Sequence, residues 1–341
     1  MILFILVPLF VQDPFVSVQN RIMGFLEHLE RPYRSSIADS ILVDAVEIGL
    51  EWSRQDIPWS LVQPDLPKSN QQQYDWALLD SVIYKTHARR IKVLGVLGRP
   101  PQWVNQGSAR IVGQGINSLA DELVEKDQIY RYVRAVVHRY AMVADAWELI
   151  NEPNSAIDAK SYSIFVEQAT AIIRELAPEK VILLGGLDPT PIDKYGSDGS
   201  LHKMEWISYL EKLKHLGTIS KVDAINVHWF YDSSDESFLH LSSIISIASA
   251  ISDKDIWFTE FGVATEDGPD NGRVQARRLL RGLRIILNEP RVRAVFFANG
   301  LWDGAEGGKD GKFNRTGLFS STGHAKPAVN VVRKLMQQLQ E

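Results

Sequence analysis

Two carboxylates stand in short stretches of unusual composition. Glu152 lies in ELINEPN, residues 148–154, and Glu260 lies in DIWFTEFG, residues 255–262. Each is the polar tip of an apolar, β-rich run. Alone, a glutamate at a strand end is an ordinary solvated residue. Two of them at the ends of strands that share one mouth make a pair able to divide acid and base work. Such a pair can break an acetal. One carboxyl protonates the leaving oxygen, and the other, ionised, meets the charge that grows at the anomeric carbon. The division of labour needs neighbours that push the two pKa values apart.

Whether the two tips meet depends on the elements that carry them. Short apolar runs alternate with longer amphipathic ones along the chain. Strands are expected over 22–28, 50–57, 91–98, 145–151, 181–188, 222–230, 255–262 and 292–300. Helices are expected over 36–49, 76–90, 125–141, 161–176, 204–216, 238–249, 274–288 and 327–340. Gly49 closes the first helix, and the Pro100–Pro101 pair stops the third strand. Most strands read as continuous apolar runs, as a parallel sheet covered by helices requires. Strict alternation of this length predicts an α/β fold, a single-domain (β/α)8 TIM barrel. The rival is an open doubly wound sheet, but no Gly-x-Gly-x-x-Gly follows the first strand. No linker divides the chain, so the barrel is expected to take residues 22–341. Polar loops over 63–73 and 302–317 leave C-terminal strand ends, where the active face of such a barrel lies.

Residues 1–21 stand apart. The opening MILFILVPLFVQ is apolar, lacks a basic start and is too short to span a bilayer. It reads as a packed leading segment, as the tail of a signal or anchor, or as an atypical export signal. Cytoplasmic and secreted locations both stay open.

Composition narrows the chemistry. The 341 residues are 45% hydrophobic, enough for a sizeable core. A formal net charge of −5 gives no electrostatic reason to bind nucleic acid. With no cysteine, disulfides and thiol catalysis are excluded. The eight histidines are scattered and no His-Glu-x-x-His occurs, so no metal and no cofactor is assigned.

Asn-Glu-Pro at 151–153 together with Thr-Glu-Phe-Gly at 259–262 resembles the clan of retaining β-glycosidases built on the (β/α)8 barrel, glycoside hydrolase clan A. The Asn-Glu-Pro-Asn spelling is most similar to the β-xylosidase and α-iduronidase group, then to the cellulase and mannanase group. The likeness covers nearly the whole chain outside the leading segment. It implies that Glu152 is the acid/base and Glu260 the nucleophile. It implies that Asn151 binds the sugar 2-hydroxyl and that Arg54 lies beneath the nucleophile. His228 resembles the substrate-side member of a His-x-Tyr pair. Phe230 occupies the Tyr position there, and Tyr231 comes one later, so a one-residue bulge would be needed for Tyr231 to take that part. Trp302 resembles the tryptophan that floors the sugar site after the eighth strand.

The chemistry of the residues agrees with those roles. Arg54 beside Glu260 would keep it ionised, while burial and the charge of Glu260 would keep Glu152 protonated. Once a glycosyl-enzyme forms, that charge is gone, and Glu152 can deprotonate and activate water. Trp59, Trp103 and Trp229 either stack on sugar or cap the barrel, and Trp103 is read as a substrate contact. Asp56 either anchors Arg54 or touches ligand. Asp188 and Asp303 are further candidate contacts near strand ends. His87, His138 and His215 read as surface or packing residues. The expected function is retaining hydrolysis of a β-glycosidic bond in an oligosaccharide, a polysaccharide or a small β-glycoside. Transglycosylation on the same barrel and a non-catalytic carbohydrate-binding barrel are the alternatives, and exo and endo action are not separable.

Overall fold

A computed structural model describes residues 21–67, 73–105, 123–190, 205–231, 233, 234, 236–265, 271–304 and 313–340. The parallel strands are β1 (Ile22–Leu26), β2 (Trp52–Pro58), β3 (Lys92–Gly98), β4 (Ala144–Leu149), β5 (Val181–Leu184), β6 (Ala224–Phe230), β7 (Asp255–Gly262) and β8 (Val292–Phe297). Each pairs with the next, and β8 pairs with β1, so the barrel is closed. The main helices between and after them are α1 (Ala38–Glu47), α2 (Ala77–Ala88), α3 (Leu123–Tyr140), α4 (Ala159–Leu176), α5 (Trp206–His215), α6 (Ser237–Ile251), α7 (Asn271–Leu287) and α8 (Pro327–Gln340). The alternation expected from the sequence is therefore present throughout, and the open-sheet rival is excluded.

The differences lie at element ends. β5 stops at Leu184, short of the expected 188, and Leu187 rejoins the sheet only through a single bridge to Val227. Asn151 and Glu152 lie just past β4, in the turn rather than the strand. The leading segment before residue 21 lies outside the described residues, as do 68–72 and 305–312 of the two polar loops. No helix among the described residues is long and apolar enough to cross a membrane.

Two cores hold the barrel. The larger lies between the outward strand faces and the helices, where Phe25, Trp147 and Phe261 meet Ile41, Tyr162 and Leu241. The smaller fills one end of the barrel interior with Trp52, Leu94, Leu183, Trp257 and Phe296. Trp257 stands edge-on to Trp52 at 5.8 Å and stacks on Phe296 at 6.1 Å. Past this apolar floor the inward positions turn polar. On β2 the residue after Trp52 in the inward series is Arg54, and on β4 Glu148 follows Ala146. Buried polar groups need partners, and supplying them builds the site.

β7 carries an irregularity that matters. Asn226 lies opposite Trp257 and His228 opposite Glu260, so two steps along β6 match three along β7. On the other side Phe258 and Phe261 lie opposite Val295 and Phe297, again three steps against two. The extra residue is thus in β7, and the bulge lets Thr259 and Glu260 both serve the barrel interior. β6 keeps its alternation, with His228 inward and Trp229 in the outer core.

The inner floor depends on close approach at Gly24. A Cβ there would stand 2.5 Å from Phe296 ring carbons and 2.9 Å from the Trp52 carbonyl oxygen. Gly24→Ala should destabilise the fold by about 1–3 kcal/mol. The measurement is a urea titration, with a lower midpoint and an unchanged slope expected. An unchanged midpoint would contradict this packing.

Candidate active site

Arg54 reaches from β2 into the barrel and is almost fully buried. Its Nε donates to Glu148 Oε2 and its Nη2 to Glu148 Oε1, both at 2.7 Å. Nη2 also donates to Asn151 Oδ1 at 2.6 Å, and Nη1 donates to Glu260 Oε1 at 2.9 Å. Burial opposes the charge of Arg54, but Glu148 and then Glu260 hold its pKa above the ordinary range. The bidentate pair with Glu148 is the geometry that suits a planar guanidinium. Glu148 also accepts from the Gly186 backbone N–H at 3.2 Å.

The turn after β4 aims the next residues. Ile150 and Glu152 both have left-handed backbone, at φ 69° and 46°, and Asn151 lies between them. The Glu152 N–H donates to the Gly186 carbonyl, and Pro153 opens a short helical turn at Pro153–Ser155. Tyr162 on α4 braces this corner. Its hydroxyl donates to the Leu149 carbonyl and accepts from the Gly185 N–H, both at 2.7 Å.

His228 links the two carboxylates. Its Nδ1 lies 3.0 Å from Glu152 Oε1 and 3.8 Å from Glu260 Oε2. Its Nε2 lies 3.2 Å from Thr259 Oγ1, and Thr259 is held in turn by Asn226, whose Nδ2 donates to Oγ1 at 2.7 Å. An oxygen of Glu152, an oxygen of Glu260 and a ring nitrogen of His228 all lie within 4.8 Å of one another. Burial works against a charged His228, yet the negative charge of Glu260 and the hydrogen bond to Glu152 raise its pKa overall. The Glu152 carboxyl is also raised. Desolvation in the mouth is the largest cause, His228 opposes it, and the charges of Glu260 and Asp188 add to it. Gly186 makes room for the histidine, since a Cβ there would stand 2.0 Å from His228 Nε2.

The structure thus brings together Glu152, Glu260, Arg54, Asn151 and His228. Three other candidates go elsewhere. Tyr231 packs among Trp229 and Phe238, with the Arg278 guanidinium 4.5 Å above its ring. The bulge lies in β7 and not in β6, so Tyr231 keeps the outward phase of Trp229 and does not take the part of a strand-six tyrosine. Trp302 does not floor the mouth. Its Nε1 donates to Asp44 on α1 at 2.6 Å, and its ring covers Gly323. Trp103 stands edge-on to Trp59 at 5.4 Å and donates to the Gln63 carbonyl, so it braces the turn after β2.

Other candidates have partners within the fold. Trp59 and Trp229 are buried in the outer core. Asp303 pairs with Lys326 at 2.7 Å. Asp188 accepts from the Thr190 N–H at 2.8 Å, and its backbone is tied to Asn154. Asp56 pairs with Arg99 at 2.8 Å rather than with Arg54. Sequence reasoning missed Glu148, Asn226, Thr259 and Gly186. The signal for the first three was a polar residue inside an otherwise apolar strand.

The comparisons agree with this architecture. The family 39 glycoside hydrolase of Bacteroides cellulosilyticus superposes with a TM-score of 0.68 at 15% identity, covering 96% of this chain and 66% of that protein. The chain thus spans just under two thirds of that relative's length. The endo-β-1,4-mannanase of Thermotoga petrophila gives a TM-score of 0.66 at 16% identity, with 94% and 77% covered. The GH5_18 protein of Streptomyces cattleya, solved with GlcNAc, gives 0.71 at 14% identity, with 95% and 81% covered. At such identities the likeness is one of fold. A search of curated protein sequences finds no match. Residues 149–323, just over half of the chain and including both motif glutamates, match the family model of the glycosyl hydrolase catalytic core. The chain is therefore a member of the glycosyl hydrolase catalytic core family, on a closed (β/α)8 barrel.

Proposed function

We propose that this protein is a retaining glycoside hydrolase that cleaves β-glycosidic bonds by double displacement. One observation carries the reading. Glu152 and Glu260 bring carboxylate oxygens within 4.8 Å of each other, while Arg54 binds Glu260 and not Glu152. Carboxyl groups about 5–5.5 Å apart leave no room for an attacking water, whereas inverting pairs stand roughly 6.5–9.5 Å apart.

The roles follow from the asymmetry. Glu260, paired with a fixed cation, is the group suited to attack the anomeric carbon. Glu152, whose pKa is raised by burial and by the charge of Glu260, is the group suited to hold a proton for the leaving oxygen. Forming the glycosyl ester removes the charge of Glu260 and with it one of the causes that keep Glu152 protonated. Glu152 then takes a proton from water, which attacks the ester and releases the sugar. Asn151 spends its Oδ1 on Arg54, which leaves its amide N–H groups to donate toward a 2-hydroxyl. A bond of that kind tightens as the ring flattens, so it favours the transition state over the bound substrate. The similar proteins bear different activities by name, so the β-linkage, and not one particular sugar, is what this reading takes from them.

Three outcomes test it. Proton NMR of the first-formed product should show retained anomeric configuration, and inversion would refute the mechanism. Glu152→Ala should lose about 100- to 10,000-fold in rate on substrates with poor leaving groups. It should spare the first step for activated aryl glycosides, and added azide should yield the β-glycosyl azide. Equal losses on both substrate types without azide rescue would remove Glu152 from the acid/base role. Finally, His228 lowers the pKa of Glu152 through its hydrogen bond and charge. His228→Asn should therefore move the basic limb of the kcat/KM profile to higher pH, because Glu152 keeps its proton longer. A limb that stays put or moves to lower pH would contradict this coupling.

A further inference from the structure

Charge is unevenly spread over the helices that cover the barrel. α6, α7 and α8 together hold seven Lys and Arg residues and no Asp or Glu. The chain carries −5 overall, so these seven cations leave −12 for the rest. On α1 to α4 the cations are answered across helix boundaries. Lys85 and Arg89 pair with Asp39, Arg139 with Asp80, and Arg134 with Glu175. α7 differs. Arg277, Arg281 and Arg284 are exposed, and none of them pairs with a carboxylate among the described residues. Steps of four and three residues put all three on one side of the helix. Like charges at that spacing repel, and an anionic partner would relieve the repulsion. Arg281 also lays its guanidinium 4.4 Å above the Phe238 ring of α6. Arg333 and Lys334 are exposed on α8, which packs against α7 where a Cβ on Gly272 would stand 2.7 Å from Pro327.

A second feature adjoins the same helix. Arg21 directly precedes β1, and its guanidinium donates to the Pro290 carbonyl at 3.2 Å and the Leu287 carbonyl at 3.5 Å, at the end of α7. The chain before Arg21 therefore leaves the barrel within one turn of Arg284. Its sequence holds the apolar run MILFILVPLFVQ, residues 1–12. Residues 13–20 link that run to Arg21, and a link of that length reaches up to about 27 Å. α7 has 17 residues and is about 25 Å long. The apolar run can thus reach any part of the arginine face.

Together the two features select the partner. A soluble polyanion would satisfy the arginines and leave the apolar run unused. An apolar protein surface would do the reverse. An anionic bilayer offers headgroup charge and an apolar interior side by side. The run is too short to cross a bilayer, but it is long enough to enter the interface of one leaflet. A single short apolar attachment holds a protein marginally and reversibly, and a neighbouring basic patch supplies the second signal that stable attachment needs. We propose that the arginine face of α7, with Arg333 and Lys334 of α8, docks on an anionic phospholipid bilayer whose interface takes up residues 1–12. α7 lies on the flank of the barrel, so a bilayer there leaves the mouth that holds Glu152 and Glu260 uncovered. The inference is independent of the glycosidase reading.

Co-sedimentation with vesicles tests it. The intact chain is mixed with vesicles of phosphatidylcholine alone and of phosphatidylcholine with phosphatidylserine, each at low and high salt. Binding to the anionic vesicles that weakens with salt, and little binding to the neutral ones, is expected. Each arginine near such a surface contributes about fivefold in partition, so the triple variant Arg277→Gln, Arg281→Gln, Arg284→Gln should bind roughly 100-fold more weakly. The corresponding Arg→Lys triple variant keeps the charge and should bind as wild type does. Single Arg277→Gln and Arg284→Gln variants leave the Phe238 contact intact and should each lose about fivefold. Deleting residues 2–12 should remove the binding that survives high salt.

Equal binding to neutral and anionic vesicles would overturn the proposal. So would wild-type binding by the glutamine variants, a lysine variant as weak as the glutamine one, or a deletion without effect. Retention of dextran sulfate with no vesicle binding would overturn it in favour of a soluble polyanion.

Discussion

The Arg54 guanidinium is buried just where the apolar floor of the barrel ends, and a buried cation is tolerable there only if its N–H groups find acceptors. Glu148 takes two of them, Asn151 a third and Glu260 a fourth. One side chain thereby ties the ends of β2, β4 and β7 into a single geometry. A lysine could not do this, because its point charge lacks the planar fork that meets Glu148 on one edge and Glu260 on the other. The arrangement also makes Arg54 a poor probe of chemistry alone. Removing it would leave Glu148, which is fully buried, without its partner, at a cost of about 3–5 kcal/mol.

Around that fixed cation, small departures from regular structure aim the other groups. The extra residue in β7 turns Thr259 and Glu260 to the same space, so that Thr259 supports His228 while Glu260 meets Arg54. The left-handed residues on either side of Asn151 send it to Arg54 and send Glu152 to His228. Gly186 leaves the volume that His228 fills. Each device trades some local regularity for a contact in the mouth, as sites on barrel rims tend to do. The result is two chemically identical side chains in two environments. Glu260 faces a guanidinium, and Glu152 faces an imidazole under partial burial.

Much of this was legible in the sequence, and what was not has physical causes. The barrel was readable because eight covered parallel strands demand apolar runs, and helices between them demand amphipathic spacing. ELINEPN and DIWFTEFG stood out because polar tips interrupt such runs. Glu148 sits in the first of those motifs, yet its part in holding Arg54 depends on inward phase, and phase is hidden when both strand faces are apolar. Tyr231 and Trp302 misled for related reasons. A bulge was suspected, but its strand cannot be told from one-dimensional spacing, and it lies in β7. Trp302 is drawn away from the mouth by Asp44, a partner some 260 positions distant in the chain.

That Glu260 is the group that bonds to the sugar is tested most directly by trapping it. A 2-deoxy-2-fluoro glycoside with a good leaving group slows breakdown of a glycosyl ester more than its formation. Gluco-, xylo-, manno- and galacto-configured reagents are each incubated with the intact protein, followed by intact-mass analysis and peptide mapping. One added fluorosugar on Glu260, within the peptide that spans Asp255–Gly262, and none on a Glu260→Ala variant that keeps its fold, is the predicted result. A label on Glu152, or hydrolysis of glycosides with no adduct from any reagent, would contradict it.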